Sequence, residues 1–510
     1  MKPLLIAFFA GIAGACGFQP FGLWPLTLAA LALFVRLVAA APSLRAALAR
    51  GWWFGFGNFV LGLNWIATAF TYQAAMPAWL GWVAVVLLSL YLAIYPAAAA
   101  GLAWRWARPE AGSSPDRLGL VLLLAAAWIV TEWLRATLFT GFPWNPIGVA
   151  LLPTFVSRLA TLVGTYGLSG IAMLLAGTLP LLLDRKWKPA VAILAPILLV
   201  AALLTVIRDT PPAGPPRPGL RIVQPNVGQQ ERWTPAEIAR NMAVLARMSA
   251  GVAPKHLLLW PESAISTPLQ NGLADPGWRL EADSVLHRVG ALLGDGDLLL
   301  AGGVTWRSAD GAAIAGATNS VFAIDSRGRI LGRYDKAHLV PYGEYLPMRP
   351  VLSRIGLSRL VPGDVDFDPG PGPRTLALPG FGKVGFQVCY EIVFSGEVAD
   401  RTDRPDFIFN PSNDAWFGRW GPPQHLAQAR LRALEEGLPI VRATPTGISA
   451  VIDPDGRLVA SLPWHRSGVI DTALPPPAAP TPFARYGNVL PLIFALLLAA
   501  PAIALRRKRR

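Results

Sequence analysis

Seven apolar stretches follow one another through the first 207 residues, and an eighth closes the chain. They are residues 4–16, 23–41, 52–70, 80–104, 118–134, 157–183, 190–207 and 489–505. A hydrocarbon core about 30 Å thick needs about 20 apolar residues in helical form. Inside it each backbone N–H and C=O must be satisfied within the segment, so these stretches can be little other than helices. The sequence is 53% hydrophobic and 15% charged, against about 25% charged in an ordinary soluble chain. We therefore expect an α-helical transmembrane bundle of about eight spans. The first stretch is short and follows Lys2, and Ala13-Gly14-Ala15-Cys16 imitates a cleavable leader; with further spans behind it, an uncleaved anchor is the expectation.

The formal charge of +14 carries topological information. Lys2, Arg45, Arg50, Arg105, Arg108, Arg117, Arg185, Lys186, Lys188 and the tail Arg506-Arg507-Lys508-Arg509-Arg510 all fall on one side when eight spans are threaded in order. The opposite loops 71–78 and 140–154 have no Lys or Arg, while Arg135 and Arg158 run against the pattern. Because cytoplasmic loops concentrate Lys and Arg, both termini are expected in the cytoplasm and the long segment between spans seven and eight outside it. The basic excess is thereby used up on topology, and no nucleic-acid partner is expected. Trp52, Trp53, Trp79, Trp82 and Trp144 stand near span ends and suit an interfacial aromatic belt. Gly55 and Gly57 lie inside a span and suit helix packing.

The expected organisation is 1–208 for spans one to seven, a Pro-rich linker 209–219, an extracytoplasmic domain 220–473, a second Pro-rich linker 474–486, and 487–510 for span eight with its basic tail. Stiff, extended linkers follow from runs such as Pro475-Pro476-Pro477. The domain between them reads as α/β. Strands are expected at 220–223, 257–260, 298–304, 320–324, 384–389, 406–409 and 440–443. Pro454-Asp455-Gly456 predicts a hairpin between 450–452 and 458–460. Thr234-Pro235-Ala236-Glu237 is a capping box opening a helix to about Met248.

Three polar clusters sit after strands or in the loops beyond them: Trp260-Pro261-Glu262-Ser263, Tyr334-Asp335-Lys336 continuing to His338-Leu339-Val340-Pro341-Tyr342-Gly343-Glu344-Tyr345, and Val388-Cys389-Tyr390-Glu391. Strand ends in layered α/β folds converge on a cleft. A carboxylate, an ammonium and a thiol meeting there make a nucleophilic constellation. Glu262 can take the thiol proton, Lys336 can stabilise the negative oxygen of a tetrahedral intermediate, and Cys389 can carry an acyl group as a thioester. Taken singly, each has a plainer reading: Cys389 as a small core residue, Glu262 as a turn or cap, Lys336 as a solvated loop residue. The five histidines show no metal-ligand spacing, no phosphate-cradling Gly-rich loop occurs, and neither a metal nor a cofactor is expected. Cys16 and Cys389 are not expected to pair.

In this order, these three motifs resemble the nitrilase superfamily, which implies a Glu-Lys-Cys triad on an α-β-β-α sandwich. Together with the apolar spans, and with Ser412-Asn413-Asp414-Ala415-Trp416-Phe417-Gly418, Gln424-His425 and Arg430-Leu431-Arg432-Ala433-Leu434-Glu435, the chain resembles the superfamily's membrane-embedded branch, the apolipoprotein N-acyltransferases. The resemblance implies Glu262 as base, Lys336 as oxyanion stabiliser and Cys389 as nucleophile, with Glu344, Tyr390, Glu391 and Trp233 in support. It further implies a phospholipid acyl donor, a diacylglyceryl-cysteine lipoprotein as acceptor, and residence in the bacterial inner membrane. Thr444-Pro445-Thr446-Gly447 departs from the usual Thr-Asn-Asn-Gly of that branch. Loops 352–361 and 416–420 are candidates for admitting acyl chains. A membrane-tethered amidase or lipase, with water as acceptor, and a transporter or scaffold with an inert domain are the alternative readings.

Overall fold

The computed structural model describes residues 1–72, 77–107, 117–207, 218–228, 234–251, 255–355 and 365–508. Among these, four helices are long and apolar enough to cross a membrane: Leu80–Ala107, Arg117–Thr137, Phe155–Leu183 and Trp187–Val206. Shorter apolar helices, Lys2–Ala15, Trp24–Ala39 and Val489–Ala504, join them. The expected stretch 52–70 differs from what forms. The helix there is Leu44–Gly62, opened by Ser43, whose hydroxyl accepts from the Ala46 N–H at 3.2 Å. It thus takes in Arg45 and Arg50, and a separate short turn, Ile66–Ala69, follows. Arg50 is reconciled with its apolar surroundings by donating to the Leu37 carbonyl at 2.5 Å.

The bundle packs through small residues. A Cβ on Gly57 would lie 2.1 Å from the Phe8 carbonyl oxygen, and one on Gly11 2.0 Å from that of Phe54. The first and third helices can approach this closely only where side chains are missing. Gly55 faces the other way, onto Pro96. The two arginines that run against the charge pattern are both engaged. Buried Arg135 donates to the carbonyls of Phe142 and Trp144 at 3.0 and 2.9 Å, and Arg158 pairs with Asp455 of the α/β domain. Trp144 is fully buried, with its Nε1–H on Gln424 at 2.8 Å. It is therefore an interdomain plug and not part of an aromatic belt, whereas Trp79 and Trp82 are exposed.

The α/β domain holds thirteen strands among the described residues: β1 (Gly219–Gln224), β2 (His256–Leu259), β3 (Ile265–Gln270), β4 (Leu298–Arg307), β5 (Gly316–Asp325), β6 (Ile330–Asp335), β7 (Thr375–Leu378), β8 (Gly382–Phe386), β9 (Phe407–Pro411), β10 (Ile440–Ala443), β11 (Ala450–Ile452), β12 (Leu458–Ser461) and β13 (Gly468–Ala473). One sheet runs β13-β1-β2-β4-β5-β6 with β3 beside β4, and the other β12-β11-β10-β9-β8-β7. β1, β2 and β4 pair in parallel, as do β8, β9 and β10. The inner faces share one core: Leu220, Leu257, Leu298 and Val321 from the first sheet meet Val384, Phe407, Ile440 and Val451 from the second. Helices Pro235–Ser249 and Pro276–Gly290 cover the outer face of the first sheet through Leu245, Val285 and Val289. Helix Gly421–Glu436 covers the second, giving the α-β-β-α order.

That last helix sits between two cores. Ala429 and Ala433 pack into the sheets, while Ala427, Leu431 and Leu434 pack into the helical bundle. Glu435 ties the two together by accepting from the Thr165 N–H and hydroxyl and from Ser395 at 2.5, 2.6 and 2.8 Å. The capping box at Thr234 and Glu237 forms, with Glu237 accepting from the Thr234 N–H at 3.0 Å. The hairpin turn at 454–456 joins β11 to β12 antiparallel.

Candidate active site

Three strand ends deliver the three chemical groups. Glu262 follows β2 on a turn where Ser263 adopts φ +56°. The turn lies so close to β4 that a Cβ on Gly302 would come within 2.7 Å of the Glu262 Cα, so glycine is required there. Lys336 is the residue after β6; its N–H donates to the Asn319 carbonyl at 2.8 Å and its own carbonyl accepts from Gly370 at 2.8 Å. It is 1% exposed, so the reading of Lys336 as a solvated loop residue does not hold. Cys389 was expected inside a strand reaching from 384. The strand instead ends at Phe386, and Cys389 opens a 3₁₀ turn, Cys389–Val393, with φ +52°. A non-glycine residue in this region costs about 1–3 kcal/mol and persists only where its surroundings impose it.

Lys336 Nζ pairs with Glu344 at 3.0 Å to Oε1 and 2.9 Å to Oε2. Glu344 is held in turn by the Val340 N–H at 2.8 Å. Asn319 on β5 donates through Nδ2 to Glu262 at 2.7 Å and to Glu344 at 3.0 Å, spanning the two carboxylates. Among the described residues Glu262 Oε2 is buried without an N–H or O–H donor, and the Cys389 thiol also reaches this carboxylate. One cation therefore faces two acids and a thiol.

The protonation equilibria follow from that imbalance. Burial pushes Glu262 above the ordinary carboxylate range; Lys336 pulls it down and Glu344 pushes it up again. Burial, reinforced by the Glu262 charge, holds the Cys389 thiol well above its usual value, against the pull of Lys336 and of the Asn413 N–H. Burial alone would lower Lys336, but Glu344 and Glu262 outweigh it and hold the ammonium above its ordinary value. The resting thiol is thus protonated, beside an acid whose affinity for protons has been raised toward its own. This pairing suits proton transfer during attack.

The groups named in support separate into two kinds. Tyr390 lines the cavity, and its hydroxyl donates to the Gly141 carbonyl at 3.3 Å, joining the site to the loop between two apolar helices. Glu391 faces away from the cavity. Its carboxylate accepts from the N–H groups of Val388, Ala337 and His338 at 2.7, 2.7 and 3.0 Å and from the Tyr334 hydroxyl at 2.9 Å, locking the Lys336 loop to the Cys389 turn. In this position it braces the two loops against each other. Trp233 and residues 356–361 of one expected loop lie outside the described residues. The other, 416–420, packs through Phe417 on Trp65 at 4.9 Å and Trp420 on Phe21 at 5.0 Å, and its Trp416 and Phe417 line the cavity. In the Thr444-Pro445-Thr446-Gly447 loop, the Pro445 carbonyl accepts from Asn226 at 2.7 Å and that of Thr446 from His465 at 2.9 Å, so its backbone is used for closure.

Glu262, Lys336 and Cys389 open into a cavity of about 1200 Å³. One wall is the α/β domain, with Ile265, Val304, Trp306 and Val365. The other is the apolar helices, with Ile66, Leu80, Val83, Leu87 and Leu138. Asn319 is the site residue that sequence reasoning missed; the available signal was a polar side chain in the middle of a strand whose ten residues are all buried.

Residues 10–178 match the family described as Apolipoprotein N-acyltransferase N-terminal domain, and residues 220–479 that described as Carbon-nitrogen hydrolase. The chain is 38% identical to an apolipoprotein N-acyltransferase of Rhodopseudomonas palustris, over 99% of this chain and 96% of that one. It is 38% identical to another from Bradyrhizobium diazoefficiens, over 100% and 95%. Among solved structures it is similar to Nit3 of Saccharomyces cerevisiae, a member of branch 10 of the nitrilase superfamily (TM-score 0.37, 18% identity, 51% of this chain and 90% of that one). It is also similar to a mutant of a Nesterenkonia AN1 amidase (TM-score 0.34, 18% identity, 51% and 93%).

Proposed function

The chain belongs to the apolipoprotein N-acyltransferase family and is an enzyme of lipoprotein N-acylation, and from that premise we propose a two-stage transfer through Cys389. In the first stage the Sγ attacks the acyl carbonyl of a phospholipid while Glu262 takes the thiol proton. Lys336 faces the developing oxyanion. The intermediate collapses to a Cys389 thioester, and Glu262 returns its proton to the departing lysophospholipid alkoxide. In the second stage the α-amine of a diacylglyceryl-cysteine attacks the thioester, Glu262 accepts the amine proton, and the thiol is regenerated. Glu344 holds Lys336 in place, Tyr390 contributes to the cavity wall and Glu391 braces the two loops from behind.

The observation that carries this reading is the position of the three groups at an apolar cavity half built from membrane helices. Both substrates are lipid-anchored, and only a site continuous with the bilayer's apolar phase lets a chain reach a buried thiol without crossing water. The same reading takes eight membrane crossings, domain limits at 208, 220, 473 and 487, both termini in the cytoplasm and the α/β domain on the periplasmic side of the inner membrane. The Lys and Arg distribution supports that orientation.

The full chain in detergent, given phospholipid with and without a diacylglyceryl peptide, tests acceptor identity. We expect stoichiometric lysophospholipid and acylated peptide when the peptide is present, and no more than a single turnover without it. Fatty acid released at equal, multiple-turnover rates in both arms would make the enzyme a hydrolase.

A further inference from the structure

Asp414, from the run 412–418, and His425, from the pair Gln424-His425, have no part in this chemistry, and they meet directly behind the nucleophile. His425, Asp414 and Arg442 are each fully buried. Arg442 Nη2 donates to both Asp414 oxygens at 2.5 and 2.7 Å, and Nη1 donates to Ser412 at 2.9 Å and to Asn410. The imidazole is gripped on both sides. Nδ1 lies 3.1 Å from Asp414 Oδ1 and 3.1 Å from Arg442 Nη2, and Nε2 lies 3.0 Å from the carbonyl oxygen of Cys389.

The partners fix the tautomer. A carbonyl oxygen only accepts, so Nε2 must carry a hydrogen. Burial and the Arg442 charge lower the ring's proton affinity, so the ring is neutral and Nδ1 accepts from Arg442. The Nε2–H therefore points at the backbone of the one residue in the site that is both the nucleophile and held at φ +52°. The ring is itself wedged between Trp144 and Phe417, at 5.3 and 5.4 Å, which prevents it from turning away.

We propose that His425 is the positioning residue of the nucleophile: its Nε2–H holds the Cys389 carbonyl and so fixes the left-handed backbone that aims Sγ toward Glu262 and Lys336. Asp414 and Arg442 orient the ring, and neither touches the reacting atoms. The proposal rests on Cys389 being the acyl carrier. It extends that reading by assigning a cause to the strained turn on which the thiol stands. A misaimed nucleophile lowers the rate of attack without loosening substrate binding, because displacement by about 1 Å costs about 100-fold in rate.

Isosteres separate this role from simple packing. A glutamine amide can place its nitrogen where Nε2 was, whereas asparagine reaches only the Nδ1 position. Single-turnover acylation of the full-length chain by phospholipid, followed by mass spectrometry of the Cys389 peptide, should give His425→Gln within about tenfold of wild type and His425→Asn about 100-fold slower. Half-saturating phospholipid should change less than about threefold in both. Thermal unfolding of the two variants should agree to within a few degrees. Equal acylation rates for His425→Gln and His425→Asn would overturn the proposal, as would a slowing that tracks lost thermal stability. A His425→Asn chain that fails to fold leaves His425→Gln to decide: near-wild-type acylation supports the proposal, and a 100-fold loss with unchanged unfolding overturns it. A wild-type chain that transfers acyl groups with no adduct on Cys389 is a different failure, of the carrier assignment itself.

Discussion

Two buried ionic clusters flank Cys389, and they are built from much the same residue types. On one side stand Lys336, Glu262, Glu344 and Asn319; on the other, Arg442, Asp414, His425 and Ser412. In the first, among the described residues, one cation faces two acids, an oxygen of Glu262 lacks an N–H or O–H donor, and the group opens onto a cavity of about 1200 Å³. In the second, one cation faces one acid, both Asp414 oxygens are held by Arg442, and the cluster does not line that cavity. Burial and hydrogen bonding are common to both. What marks a place for chemistry is the unbalanced charge beside open space, since a balanced pair has no proton affinity to spare. The contrast also appears in the carboxylates: burial drives Glu262 up, whereas the Arg442 charge overcomes burial and holds Asp414 below its usual range.

Substitutions can break that contrast. The largest effect expected is that of Cys389→Ala, a loss of transfer of at least about 10⁴-fold, read from acylated peptide per enzyme. Next, Glu262→Gln should slow acylation by about 10³-fold while leaving the melting temperature unchanged or higher, because a neutral amide removes a buried charge that repels Glu344. Asp414→Asn should do the reverse. It leaves Arg442 buried without its anion, costing about 3–5 kcal/mol of stability, and the folded fraction should keep more activity than Glu262→Gln does. Denaturation in detergent and turnover per folded molecule separate the two.

Acidity sharpens the same difference, and the signs are opposite. Glu262, raised in the folded chain, contributes stability that is present below about pH 4.3 and is lost as pH rises through its folded value. Asp414, depressed, contributes stability present above about pH 3.9 and lost as pH falls through its lower folded value. The acid limb of single-turnover acylation should accordingly be centred above about pH 4.3, and stability should decline across the interval in which the rate climbs. Glu262→Gln should abolish that decline; an acid limb at an ordinary glutamate value would contradict the raised carboxyl. The smallest effect expected is from Arg158→Ala, which removes a partly exposed bridge to Asp455 and should cost about 0–1 kcal/mol.

That Glu262, Lys336 and Cys389 share one cluster was legible because each sits near a strand end in a short polar run, where a polar residue next to apolar ones is conspicuous. Long apolar runs gave the helices for the same reason. Elements whose residues do not alternate cleanly were missed. β3 carries Pro268, β6 reads Ile-Leu-Gly-Arg-Tyr-Asp, and β7 and β13 are only partly buried. Roles fixed by distant partners were also hidden. Trp144 looked interfacial by its place near an apolar run, yet it is a plug because Gln424, 280 positions on, accepts its N–H. Glu391 is conspicuous by adjacency to Cys389, yet three of the donors to its carboxylate come from a segment more than fifty residues earlier. The strain at Cys389 and the ring that faces its carbonyl could not be read from order along the chain, because His425 approaches from a helix 36 residues later.

Mass spectrometry of the full-length chain after brief exposure to phospholipid, without acceptor, bears most directly on whether Cys389 carries the acyl group. One fatty acyl unit should appear on the Cys389 peptide, be cleaved by hydroxylamine, be missing from Cys389→Ala, and be discharged when a diacylglyceryl peptide is added. Acyl transfer to that peptide with no adduct on Cys389, or an adduct that the peptide does not discharge, would contradict it.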